Sequence, residues 1–133
     1  MNRHDIALIV AGILGAAGAI VHGVLTQRHL VRPIEQLTAT SLRPSIRRLI
    51  AGLLQFSAFV WFIGGVALVV APWLDPQAKL ATGLLVGSSY LYAAIGNGWA
   101  MRGRHPGWVI YAVALMLIVY GVFASLMRLI SHG

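Results

Sequence analysis

Residues 6–26 read IALIVAGILGAAGAIVHGVLT, and this run decides the fold. It holds no Asp, Glu, Lys or Arg. As an α-helix it would rise about 31 Å, the thickness of a bilayer's hydrocarbon core. Three further runs have the same character, at about residues 49–73, 80–101 and 107–127. Pro72 and the Asp75-Pro76 pair stop the second run, because proline cannot continue a helix. Strands of an outer-membrane barrel would show segments of about ten residues with alternating polarity, and these runs are continuous. The sequence therefore predicts an all-α, polytopic membrane four-helix bundle, with residues 1–133 forming one transmembrane domain.

Composition agrees. Of 133 residues, 59% are apolar and 10% charged, against about a quarter charged in a soluble domain. Mean hydropathy is +0.82. No cysteine is present, which removes disulfides, thiolate metal sites and cysteine nucleophiles together. Ten Lys and Arg against three Asp and Glu give a net charge of +7. In a soluble protein that surplus would suggest a nucleic-acid partner. Here the charges sit between apolar spans, so we expect no nucleic acid and assign them to topology and to anionic lipid headgroups.

Arg3 before an apolar run, with Ala17-Gly18-Ala19 behind it, resembles a cleaved signal, but the run continues past the 7 to 15 residues of a signal core. It is expected to stay. Arg28, Arg32, Arg43, Arg47 and Arg48 follow the first span, and Arg102 and Arg104 follow the third. The opposite side carries Arg3, Lys79 and Arg128. The positive-inside rule then places both arginine segments in the cytoplasm and both termini outside. Within the long connection, residues 27–48, Pro33 and Pro44 each suit a first helical turn. Leu30, Ile34, Leu37 and Leu42 add an intermittent apolar side. Two readings fit it: a short helix lying along the inner headgroups, or an irregular loop with arginines on phosphates.

In the first span Ala11, Gly15, Ala19 and His22 recur at spacings of three and four, and Gly12, Ala16 and Gly23 widen the strip. Small residues so spaced let helix backbones approach closely in lipid. Gly83 and Gly87 in the third span, and Gly64 and Gly65 in the second, offer matching contacts. The first-helix strip is also the preferred surface for self-association. With the spans alternating in direction, His22, Gln55, Asn97 and Tyr111 each fall four to six residues from the inner end of a span. That is roughly 6 to 9 Å inside the inner boundary. They are expected to form one polar layer. One reading makes it a functional site with His22 as a titrating group or ligand anchor. The other makes it interhelical glue, with each hydrogen bond contributing about 0.6 kcal/mol.

Other chemistries find less support. His22 and His29 stand about 10.5 Å apart along a helix, too far to share one tetrahedral ion. His105 lies in the other arginine segment and carries no adjacent carboxylate pair. No second span contains histidine, which nearly excludes bis-histidine haem within one chain. Neither metal nor cofactor is expected. Ser57, Ser88, Ser89, Tyr90 and Tyr92 sit in no Gly-x-Ser-x-Gly turn, and no carboxylate orients His22. We expect no enzyme activity. Trp61, Tyr90 and Tyr92 fall near the midplane as packing, and Trp73, Trp99 and Trp108 stand where aromatic belts belong.

The stretch 18–33, with His22, Leu25, Arg28, Leu30 and Pro33, resembles a group of small, uncharacterised four-span bacterial inner-membrane proteins, as does the turn of residues 102–108, RGRHPGW. In that group the first helix ends in a His-containing signature before a cytoplasmic arginine, and Gln27 stands where a Glu is expected. The resemblance implies a fold and a bacterial inner membrane but no activity. Small multidrug exporters are not similar, since their mid-span Glu is missing, and neither are fluoride channels. Two functions remain from the sequence. One is a non-enzymatic accessory or assembly subunit that joins a homo-oligomer or larger membrane complex through helix faces and anionic lipid. The other is a small oligomeric carrier or channel lined by His22, Gln55, Asn97 and Tyr111.

Overall fold

The computed structural model describes residues 2–100, 102–104 and 106–132. His105 and the side chain of Arg128, both used above, lie outside the described residues. Among the described residues every regular element is helical. In chain order these are α1 (Arg3–Thr26), a π-helical turn (Gln27–Val31), α2 (Arg32–Leu37), α3 (Pro44–Val70), a 3-10 turn (Ala71–Trp73), α4 (Pro76–Ala100) and α5 (Gly107–His132).

Local chemistry explains each boundary. Asn2 caps α1: its side-chain oxygen accepts the Asp5 N–H at 2.9 Å, while the Asp5 carboxylate accepts the Asn2 N–H at 3.2 Å. The helix does not end at Thr26. It runs unbroken through the π turn into α2, 35 residues from Arg3 to Leu37, about 52 Å of rise. The cause is Pro33, whose ring crowds the carbonyl four residues back and which has no N–H to donate. One widened turn just before it, in which the Arg32 N–H reaches back five residues to Gln27 O, carries the chain past that conflict. A short helix with Pro33 in its first turn is present as α2, continuous with α1 through the π turn.

The 3-10 turn at Pro72 ends the α3 rod, and Asp75 then caps α4 by accepting the N–H groups of Gln77 and Ala78 at 2.9 and 3.0 Å. At the far end of α4, Gly103 N–H bonds Gly98 O at 2.8 Å and Arg102 N–H bonds Trp99 O at 3.2 Å. This is the Schellman arrangement, and it puts Arg102 in the left-handed region at φ 48°.

Among the described residues four helices are long, and three of them are apolar enough to cross a membrane: the α1–α2 rod, α3 with its 3-10 turn, and α5 over Gly107–Met127, with mean hydropathies of 2.2, 2.2 and 2.4 across an 18-residue stretch of each. The third expected span, α4, is long enough but less apolar. Gln77, Lys79, Ser88, Ser89, Asn97 and four glycines dilute it.

Helix α1 lies between α3 and α5, α5 lies between α1 and α4, and α3 touches α4 only sparsely. Tyr90 fills the centre. Reaching from α4, its ring lies where a Cβ on Gly15 of α1 would stand, and its hydroxyl donates to Trp61 O of α3 at 3.1 Å. Gly15 is glycine because a side chain there would occupy the place of the phenol. Around Tyr90 the core runs through Leu8, Ala11, Ala19, Leu68, Val86, Ile118 and Val122. The outer faces are apolar as well, with Ile13, Ile20, Phe56, Phe59, Leu85, Ile95, Met116 and Phe123 exposed. A soluble bundle would put polar residues there.

Candidate functional site

Two ends of the bundle differ in charge. The end that carries the residue 27–43 and 101–106 connections exposes Arg28, Arg32, Arg43, Arg48, Arg102 and Arg104. Arg47 departs from the set. It is half-buried, it lines a crevice with Glu35 and Thr38 between α2 and α3, and its Nε has no hydrogen-bond partner among the described residues. The opposite end carries the ion pair of Asp5 with Lys79, at 2.8 Å, and His4, whose Nδ1–H donates to Tyr120 O at 2.7 Å while its ring stacks on Tyr120.

About three turns along α1 from the Gly12 level, the polar residues appear. His22 projects toward α3, where Ser57 Oγ stands 3.4 Å from its Nε2 and the Trp61 ring lies 4.7 Å away, centre to centre. Trp61 in turn contacts Tyr111 at 4.9 Å, and Tyr111 meets Tyr90 edge-on at 5.1 Å. An unbroken chain of rings thus links α1, α3, α5 and α4. Pairs of this geometry add about 0.5 to 1.5 kcal/mol beyond the area they bury.

His22, Asn97 and Tyr111 share a wall. They line a cavity of 190 Å³ with Gly18, Val21, Leu25, Ile110 and the Pro106-Gly107 turn. A second cavity of 480 Å³, lined by His22, Leu25, Thr26, His29, Leu30, Asn97 and Ala100, shares His22, Leu25 and Asn97 with it and extends toward the arginine end. Asn97 donates to Ala93 O of its own helix at 2.8 Å, and His29 Nδ1–H donates to Leu25 O at 3.1 Å. Tyr111 is 2% exposed, and its hydroxyl has no hydrogen-bond partner among the described residues.

Gln55 corrects the expected single layer. It stands level with Gly23 but on the other side of α1, where its amide donates to Gly23 O at 3.1 Å and to Gln27 Oε1 at 3.0 Å. There it borders a separate crevice of 370 Å³ between α1 and α3, walled by Ala19, Ile20, Phe59 and Phe62. The reason is angular. Gln55 and Ser57 are two residues apart, about 200° around a helix, so only one of them can face His22, and Ser57 does. Sequence reasoning assigned Ser57 and Trp61 to other roles, yet their spacing of four puts them on one helix face. Gln27 and His29, at the start of the expected connection, lie in the π turn that continues α1.

The small-residue strip is consumed inside the chain. Ala11 and Ala19 are buried and Gly15 holds the Tyr90 ring. Gly83 lies against Val122, and Gly87 against Leu115 and Ile118. The strip expected to serve self-association therefore faces the chain's own core. Among the described residues, no three His, Asp or Glu side chains come together as metal ligands. No protein-family model, curated protein or solved structure matches the chain.

Proposed function

We propose that this chain is an integral protein of a bacterial inner membrane that crosses it four times, with both termini outside, and acts without catalysis as an accessory or assembly subunit that holds anionic lipid. The observation that carries this reading is the division of its surface. Apolar side chains cover the helix flanks, while exposed arginines gather at one end. Such an end sits against anionic headgroups, where each nearby Lys or Arg contributes about 1 kcal/mol. The weaker apolarity of α4 is compatible with crossing, because α4 packs on α5 and Ser88 and Ser89 return their hydroxyls to Leu85 O and Val86 O of their own helix. With the first-helix strip buried, association with another copy or a larger complex would use the exposed flank of α3, around Phe56, Phe59 and Ile63.

Native purification with mass analysis tests this directly. Phosphatidylglycerol or cardiolipin should copurify and should fall several-fold when Arg28, Arg32, Arg43 and Arg48 are replaced by Gln. Lipid retention unchanged in that variant would overturn the proposal. A carrier or channel is the second reading, favoured by the cavity beneath the arginine end. Flux through vesicles that His22→Ala abolishes without unfolding the protein would select it.

A further inference from the structure

We propose that the 480 Å³ cavity between α1 and α4 binds a single-chain amphiphile, a fatty acid or a monoacylglycerol, through a head that carries an O–H group. This deepens the second reading above, on which it rests, by naming what the cavity beneath the arginine end takes. Thr26 supplies the first observation. It is 5% exposed and lines the cavity, yet its hydroxyl forms no hydrogen bond among the described residues and does not cap the π turn that follows. A hydroxyl inside a helix ordinarily returns to a carbonyl three or four residues back. Thr38 does so to Ile34 O at 2.7 Å, and Ser88 and Ser89 to Leu85 O and Val86 O at 2.8 Å. A hydroxyl withdrawn from water without a partner is costly, so one that persists points to a partner that arrives. The Tyr111 oxygen is sealed by its neighbours, whereas that of Thr26 opens on the cavity.

The residues beside Thr26 complete a polar stripe. His22, Thr26 and His29 stand at intervals of four and three on one side of the rod, spanning about 10.5 Å along its axis, and Asn97 of α4 lines the same cavity. His29 Nδ1–H is committed to Leu25 O at 3.1 Å, which leaves Nε2 as an acceptor. Asn97 uses one N–H on Ala93 O at 2.8 Å and keeps its other N–H and its carbonyl oxygen. The wall thus offers donors and acceptors side by side. An O–H group matches both, because it donates one hydrogen bond and accepts others, whereas an ester or a ketone only accepts.

Charge narrows the class further. No Asp, Glu, Lys or Arg lines the cavity, so a permanently charged head, a phosphodiester or a quaternary amine, meets no fixed counter-charge. A fatty acid brings its own proton. When that proton passes from the carboxyl oxygen to His29 Nε2, an O–H bond breaks, an N–H bond forms and the pair stays neutral as a whole. The hydroxyl of a monoacylglycerol needs no such transfer. Leu25, Leu30 and Ala100 make the rest of the wall apolar, which suits the first carbons of a tail, and 480 Å³ is an ordinary volume for a ligand pocket.

The test uses purified full-length protein in a hydroxyl-free detergent of no net charge, titrated with lauric acid, monolaurin, methyl laurate and phosphatidylglycerol. Lauric acid or monolaurin should bind, and the tighter of the two identifies the source of the O–H. Methyl laurate has the lauric acid tail and no O–H, and should bind at least about five-fold more weakly, the contribution of one neutral hydrogen bond. Thr26→Val, of nearly the same shape, should weaken binding of the preferred probe by about the same factor. The ligand-free variant should melt at the same temperature or higher, since no hydrogen bond of its own is lost. A purely structural Thr26 would give the reverse pattern, a lower melting temperature with unchanged affinity. Should Thr26→Val fail to fold, His29→Leu replaces it at an exposed position and should weaken binding similarly. Failure of both lauric acid and monolaurin to bind, equal binding of methyl laurate, binding of phosphatidylglycerol alone, or wild-type affinity in the folded variant overturns the inference. The carrier reading fails separately, since it is read as flux across vesicles, and headgroup retention is read on the arginine variant.

Discussion

Helices α1 and α3 meet twice, and the two meetings differ. At Gly12 the backbones touch: a Cβ there would lie 2.5 Å from Gly65 O, and one on Gly65 would lie 2.6 Å from Gly12 O and 2.7 Å from Ala16 N. Eleven residues along, at Gly23, the nearest atoms to an added Cβ are Ala58 Cβ at 3.3 Å and Gln55 Oε1 at 3.4 Å. The helices have opened by one side chain. Around that point lies the 370 Å³ crevice between the two helices, and polar side chains replace close backbone contact as the link between them. The comparison teaches that glycine content alone does not locate a tight seam. Gly52 and Gly96 have no atom within 4 Å of an added Cβ, although they sit in the same helices as Gly65 and Gly83.

Substitutions can break that contrast or sharpen it. The largest effect belongs to Gly65→Val, which should cost at least about 3 kcal/mol or prevent folding, because the new atoms meet backbone that cannot step aside. Gly96→Ala, by contrast, should be neutral or stabilise by up to about 1 kcal/mol through helix propensity. Thermal unfolding in detergent compares them, and equal effects would erase the distinction between seam and open half. Gln55→Leu comes next. It removes the bonds to Gly23 and Gln27 and should cost about 1 kcal/mol, within the range for interhelical hydrogen bonds in bilayers.

At the terminal end, Asp5→Asn should cost about 0.5 kcal/mol, a loss that high salt reduces in parallel in the parent protein, as expected of a half-buried ion pair at the surface. Equal melting of parent and variant at every salt concentration would remove the Asp5–Lys79 pair from the account. Smallest of all, Arg102→Gly should stabilise slightly, by about 0.3 kcal/mol, since only glycine takes the left-handed C′ position without a Cβ clash.

Much of this was legible in the sequence, for identifiable reasons. Uncharged runs of more than twenty residues declare helices, and Pro72 and Asp75-Pro76 declare where α3 yields to α4. The continuation of α1 to Leu37 was not legible, because Pro33 reads as the first turn of a new helix and a π turn leaves no compositional mark. For the site, residue numbers give height along a helix but not which neighbour a side chain faces. His22, Asn97 and Tyr111 line one cavity. Gln55, at the same height, faces the other crevice, and Trp61, read as packing, bridges His22 to Tyr111. The buried Tyr111 hydroxyl, without a partner among the described residues, has no sequence signature at all, since it depends on how the helices close around it.

The most direct test of the central claim, that the arginine end lies inside and the two termini outside, is single-thiol labelling in intact cells. The chain has no cysteine, so Ser41→Cys and Ser131→Cys each introduce one probe, both at exposed positions. A membrane-impermeant maleimide should modify the Ser131→Cys protein from outside and reach the Ser41→Cys protein only after the membrane is opened. Labelling of Ser41→Cys from outside, with or without Ser131→Cys, would contradict the orientation and with it the placement of the arginines on the inner headgroups.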